Sequence, residues 1–138
     1  YTLIPEIQQA GVTVIVHPTM ARPQGDRRNL CLENAARLHA AGIPIALQSG
    51  YEAYVPKSSI VLFEAAMAAA NGLTHAEAMA AITIDAARIL DLDARVGSIE
   101  VGKDGDLALY DGDPFEWTTH CTGTVIEGVA FEGERYGK

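Results

Sequence analysis

The chain has 138 residues, of which 49% are hydrophobic, and a formal net charge of −8. It is long enough to bury one globular core, but a complete (β/α)8 barrel needs about 250 residues and does not fit. With Arg22, Arg27 and Arg28 spread over a loop and no basic cluster elsewhere, nucleic acid is not expected as a partner. No apolar run approaches the roughly 20 residues of a membrane span, so no membrane association is expected. No secretory leader is visible and Cys31 and Cys121 lack CxxC spacing, which makes cytoplasmic the expected location. The chain opens on Tyr1 without an initiator Met, and the expectation is that an upstream part is missing or was cleaved away.

Residues 3–11 read as a helix with Leu3, Ile4 and Ile7 on its apolar face and Gly11 at its end. Residues 12–16, VTVIV, form a continuous β-branched run of the kind found in strands buried on both faces. A polar loop follows, then a helix over 29–41 with Cys31, Ala35 and Leu38 on one side, closed by Gly42. Residues 43–47, IPIAL, read as a second buried strand. This order predicts two parallel strands joined by a crossover helix.

After the loop QSGYEAYVPKSS, the spacing of Ile60, Phe63, Met67 and Ala70 predicts a helix over 59–71 that stops at Gly72. Thr74 and Glu77 fit a capping box, and the helix they open is expected to bury Ala76, Met79 and Ala80. Asp85 is placed to cap a further short helix over 86–90. Beyond Asp91 glycine-rich turns separate short alternating segments, SIEV, DLALY and GTVIEGV. Residues 1–90 therefore read as α/β and 91–138 as a small antiparallel β unit. Phe115 and Trp117, with Pro114, are expected to plug that unit.

Two ordered motifs, TIDAARILD at 83–91 and GSIEVGKDGDL at 97–107, resemble the metal-dependent amidohydrolase superfamily. Thr83-Ile-Asp85-Ala-Ala87-Arg-Ile-Leu90-Asp91 stands where that family has Thr-x-Asn-Pro-Ala-x-x-Leu-Gly. Gly97-Ser-Ile99-Glu-Val-Gly102-Lys103-Asp-Gly105-Asp106-Leu107 is similar to its Gly-x-Leu-x-x-Gly-Lys-x-Ala-Asp-Leu, and Asp113-Pro114 and the Val125–Gly128 turn also fall in place. Imidazolonepropionase-like and prolidase-like members are nearest in texture. The resemblance implies α/β architecture: the last two β/α units of a (β/α)8 barrel over 1–90, plus the C-terminal part of a composite β-sandwich over 91–138. The physical content of the second motif is turn-making, with Asp106 expected to tie a hairpin through side chain to backbone hydrogen bonds. Asp104-Gly-Asp106 and Asp111-Gly-Asp113 do not fit a calcium loop.

The resemblance also implies a reaction. In the family a divalent metal such as Zn²⁺ activates water against a C–N bond. A His-x-His pair, further strand-end histidines and an aspartate at the end of the last strand hold the metal. No His-x-His occurs here, and His17, His39, His75 and His120 never share ligand spacing. Gly50 occupies the place of the aspartate, so no metal is expected on this chain alone. The pocket candidates are His17, Ser49, Tyr51 and Glu52. His17, at a strand end, reads equally as a substrate-binding or proton-transferring group and as a loop histidine bonded to backbone or solvent.

Three readings compete. The first is the C-terminal fragment of a hydrolase of cyclic amides or dipeptides, inactive alone, with a small-molecule substrate in the parent protein and the missing N-terminal barrel portion as its partner. The second is a non-catalytic relative kept for binding or assembly after losing the metal site. The third is a self-contained α/β domain. A barrel fragment would expose sheet edges and self-associate.

Overall fold

The computed structural model describes residues 1–16, 25, 28–50 and 60–132. Two strands, β1 (Val14–Val16) and β2 (Ile45–Leu47), pair in parallel with Val14 opposite Ile45 and Val16 opposite Leu47. Backbone bonds continue the ladder at both ends, from Val14 N–H to Pro44 O (3.0 Å) and from Gln48 N–H to Val16 O (3.3 Å). Helix α2 (Asn34–Ala40) is the crossover between them and buries Ala35 and Leu38 against the sheet. The predicted parallel pair is thus present. Its strands are shorter than predicted and α2 starts five residues later, because turns at 28–29 and 32–33 occupy the start of the predicted helix.

Helix α1 (Ile4–Ala10) ends as predicted at Gly11, whose φ is +63°. It docks by half-buried Ile4 and Ile7, and its Gln8 side chain donates to Ala41 O at 2.7 Å. The core lies around β2, where Ile45, Ala46 and Leu47 are all buried, the pattern of a strand covered on both faces. Val16, Leu38, Ile43 and Leu73 complete it with a seam of small residues, Ala35, Ala65, Ala68, Ala78 and Ala81.

Helix α3 (Val61–Ala70) turns a different face inward than its large residues suggest. Glu64, Ala65 and Ala68 are buried, while Phe63 is 36% exposed. Alanines let the helix approach β2 and its neighbour closely, and that outweighs the apolar area of Phe63. The same holds for α4 (His75–Ile82), which buries Ala78 and Ala81 and leaves the expected Ala76 exposed. Its capping box is complete: Thr74 Oγ1 accepts Glu77 N–H at 3.2 Å and Glu77 Oε2 accepts Thr74 N–H at 2.7 Å. Helix α5 (Ile84–Ile89) begins earlier than predicted, so Asp85 lies inside its first turn and pairs with Arg88 at 2.7 Å instead of capping it.

The later part forms a three-stranded antiparallel sheet in the order β3 (Leu107–Tyr110), β4 (Cys121–Ile126), β5 (Val129–Glu132). The β4–β5 loop has two residues, Glu127 and Gly128, with φ of +49° and +79°, the hand that matches strand twist in tight hairpins. The segment SIEV is not a strand. Asp104 folds back on Arg95, taking its carbonyl by the backbone N–H (2.8 Å) and its guanidinium by the carboxylate (2.6 Å). The closed loop leaves Ile99 and Val101 exposed. Trp117 is 89% exposed and plugs nothing, whereas Phe115 packs on the His75 ring (4.5 Å) and against the α/β core.

Gly97, in the second motif, is fixed by a close approach. At its φ of +93° an added Cβ would sit 2.8 Å from Ile84 Cα and 2.9 Å from Ala87 Cβ, so the loop can lie on α5 only with glycine there. No helix among the described residues is long and apolar enough to cross a membrane.

Candidate functional site

Parallel pairing puts the C-terminal ends of β1 and β2 side by side. Val16 is opposite Leu47, and the next residue of β2's strand, Gln48, is bonded to Val16 O. The chain therefore leaves both strands at one edge. There Gln48 is exposed, while Ser49 and Gly50 are half-buried. Of the sequence candidates, Ser49 and Gly50 lie at this edge; His17, Tyr51 and Glu52 lie outside the described residues.

Gly50 has φ of +73°, in the left-handed region that excludes most side chains at low cost. The position that the resemblance assigns to an aspartate thus has a backbone shaped for glycine. Among the described residues, the side-chain donors at the edge are a carboxamide and a hydroxyl, those of Gln48 and Ser49. Neither is a carboxylate or an imidazole, and such a pair does not hold a divalent transition metal.

Elsewhere each described histidine stands beside one carboxylate. His75 Nε2 lies 2.9 Å from Asp113 Oδ1, which also accepts Phe115 N–H at 2.9 Å. The His75 hydrogen bond, then the Phe115 N–H, hold the Asp113 carboxyl below the ordinary carboxylate range. His39 Nδ1 is 3.6 Å from Glu77 Oε1, and His120 Nδ1 is 3.7 Å from Asp111 Oδ2. Thr74's backbone N–H, then its hydroxyl, lower the Glu77 pKa. No group of three or more histidine, cysteine, aspartate or glutamate side chains among the described residues is arranged to hold a metal ion.

Among the described residues, two concavities lie away from the C-terminal strand ends. A cavity of about 670 Å³ between the helices and the loop before β3 is walled by Met79, Ile82, Leu90, Leu92 and Leu107. Its carboxylates are occupied, Asp104 by Arg95 and Asp106 by the Glu127 N–H at 2.8 Å. A smaller one of about 390 Å³, lined by Thr13, His39, Pro44, Asp85 and Arg88, opens at the opposite, N-terminal end of the strands. The sequence reading named neither. The first was detectable only as an excess of exposed apolar residues, which a one-dimensional pattern assigns to core.

Comparison with known proteins places this geometry. The amidohydrolase family profile matches residues 6–131. An imidazolonepropionase of Sphingopyxis alaskensis is 42% identical over 83 residues, which are 59% of this chain and 20% of that protein. A solved amidohydrolase of Thermotoga maritima MSB8 superposes with a TM-score of 0.87 at 30% identity, over 96% of this chain and 35% of that one. A Xaa-Pro dipeptidase with methionine bound in its active site gives 0.62 at 26% identity, over 76% and 26%. The chain thus spans about a fifth to a third of the length of these relatives. With a matching fold and a family match over nearly its whole length, the chain belongs to the amidohydrolase family.

Proposed function

We propose that this chain is the C-terminal part of a metal-dependent amidohydrolase that hydrolyses C–N bonds in cyclic amides or dipeptides. Residues 1–90 would be the last two β/α units of its (β/α)8 barrel and residues 91–138 the C-terminal part of its β-sandwich. The observation that carries this is the parallel β1–β2 pair, whose C-terminal ends open on one edge within a chain matched to the family over residues 6–131. In β/α barrels that edge is where reactions occur. The imidazolonepropionase and the Xaa-Pro dipeptidase named above support the bond type.

The described residues at the β2 exit, Gln48 to Gly50, do not fit a metal, so its ligands belong to the upstream part of the parent protein or to residues outside those described. This chain contributes a wall of the pocket. The Ser49 hydroxyl, one donor and two acceptor lone pairs, is suited to orient a carbonyl or an amide of a small substrate. His17, Tyr51 and Glu52, adjoining the two strand exits in sequence, are the other groups we assign to this wall. The fragment alone, with one edge of the pocket, would be inactive.

The test is to sequence the coding DNA upstream of Tyr1, express the full-length protein and assay cyclic amides and Xaa-Pro dipeptides with Zn²⁺, Mn²⁺ and Co²⁺. A frame containing His-x-His and chelator-sensitive hydrolysis is expected. A stop codon and start site just before Tyr1 would sink the proposal.

One observation favours a second reading, a non-catalytic relative used for binding or assembly: the left-handed backbone at Gly50. Gly50→Asp in the full-length protein discriminates. A large gain in hydrolysis supports a decayed site, and no gain in an already active protein supports chemistry that runs without this aspartate.

A further inference from the structure

Strands β3, β4 and β5 pack chiefly on one another, so the loops around them carry their attachment to the α/β part. Hydrogen bonds between described residues stay within residues 1–92 or within 92–132 with one exception, His75 Nε2 to Asp113 Oδ1 at 2.9 Å. Both ends of that bond are held in place. Thr74 caps α4, so His75 is the first residue of a helix whose start is fixed by the capping box. Asp113 opens a turn in which its Oδ1 accepts Phe115 N–H at 2.9 Å and its carbonyl accepts Glu116 N–H at 3.0 Å. The turn brings the Phe115 ring to 4.5 Å from the His75 ring and against the core.

The loop that carries this turn, residues 111–120, is closed at its neck. Asp111 N–H donates to His120 O at 3.2 Å, and His120 N–H donates to Asp111 Oδ1 at 2.8 Å. It therefore moves as one piece with β3 and β4, which it joins. A second attachment is the seat of Gly97 on α5, backbone against backbone. The cavity of about 670 Å³ is bounded by Met79 and Ile82 of α4, Leu107 and Tyr110 of β3, Gly97, and Pro114 of the loop. The side chains of His75 and Asp113 are each about half exposed, a setting in which an ion pair is worth little. Of the two attachments, the one on His75 is the easier to release.

We propose that loop 111–120 is a clasp: seated on His75 it holds the β sheet against α4 beside the apolar cavity, and when it lifts the cavity opens while Gly97 stays on α5. This role does not depend on the catalytic reading.

The test uses the full-length protein with His75→Ala, Asp113→Ala and the double variant. Glu77→Ala is the control, since it removes the capping-box carboxylate from the same turn of α4 without touching the clasp. Each clasp variant is expected to speed amide hydrogen exchange at residues 114–119 about tenfold, with the double variant matching Asp113→Ala and residues 84–97 unchanged. Spin labels at Ala40→Cys and Glu132→Cys, both exposed sites, in a cysteine-free background should give a narrow distance distribution in the wild type and a broader, longer one in the clasp variants. If an alanine variant does not fold, His75→Phe, which keeps a ring against Phe115 and removes the nitrogen, decides by the same two readouts. Unchanged exchange at 114–119 overturns the proposal, as does an equal effect of Glu77→Ala, which would mark fraying of α4. Faster exchange with an unmoved distance distribution also overturns it, because the loop would then be a surface turn that holds nothing.

Discussion

The Asp106 carboxylate accepts the backbone N–H of Glu127 at 2.8 Å, across 21 residues of chain. Beside it Gly105 O accepts Gly128 N–H at 3.2 Å. Together the two bonds fasten the β4–β5 turn to the start of β3, giving the Gly-Asp-Leu of the motif a mechanical purpose. Asp106→Ala removes a charge-assisted bond at an exposed site and should cost about 1 kcal/mol. Asp106→Asn, which keeps an acceptor, should cost about half as much. Urea denaturation would measure both; an Ala variant as stable as the native protein would show that the bond is idle.

Gly97 makes a sharper prediction. Its added methyl would meet the backbone of α5 at Ile84, which cannot yield as a side-chain tip can, and its φ of +93° adds strain. Gly97→Ala should therefore destabilise by about 3 kcal/mol, combining overpacking with an unfavourable dihedral. Gly102, also with positive φ but with open space around its Cβ, is the control and should cost about 1 kcal/mol. Equal losses at the two positions would mean that contact with α5 contributes nothing.

What was legible in the sequence is local. The Thr74–Glu77 capping box, the Gly11 helix end, the Glu127–Gly128 turn and the role of Asp106 each depend on residues whose chemistry dictates a short-range bond or a dihedral, and each stands as read. The parallel pair followed from strand–helix–strand order. The buried helix faces are not legible in the spacing, because alanines occur on every side of α3 and α4 and those that line the seams, Ala65, Ala68, Ala78 and Ala81, carry no mark that sets them apart. Phe63, Ala76 and Trp117 are on the surface, and buried Glu64 went unnoticed. Ile99 and Val101 look like strand residues, yet the bonds between Arg95 and Asp104 close their segment into a loop. The candidate pocket was legible as two strand ends. The left-handed Gly50 could not be read from its letter, since glycine is compatible with every backbone region.

Two carboxylates set a pH dependence. His75 and the Phe115 N–H lower the Asp113 pKa, and Thr74 lowers that of Glu77. A depressed folded-state pKa means that each contributes stability above its unfolded value, about 3.9 for Asp and 4.3 for Glu, and loses it as pH falls through the folded value. Asp113→Asn and Glu77→Gln should thus be less stable than the native protein at pH 7, with the deficit closing as pH falls below about 4. Denaturant midpoints across this range give the check; a deficit independent of pH would mean that the charge on these groups is immaterial.

The isolated 138-residue chain supplies the last prediction. Its described histidines are each beside one carboxylate and none beside a second ligand, with separations of 2.9 to 3.7 Å that suit hydrogen bonding or ion pairing. Stable Zn²⁺ sites need three or four converging N, S or O ligands, so equilibrium dialysis of the chain should find less than one tightly held ion per molecule. At the same time Ile126, Val129 and Phe131 are each more than half exposed on the β-hairpin. Apolar side chains left open in this way, beside strand edges, favour association. Sedimentation should therefore show self-association that rises with concentration and is relieved by Phe131→Lys or Val129→Lys. A monomeric chain with a stoichiometric zinc ion would reverse both expectations and place a complete metal site within these residues.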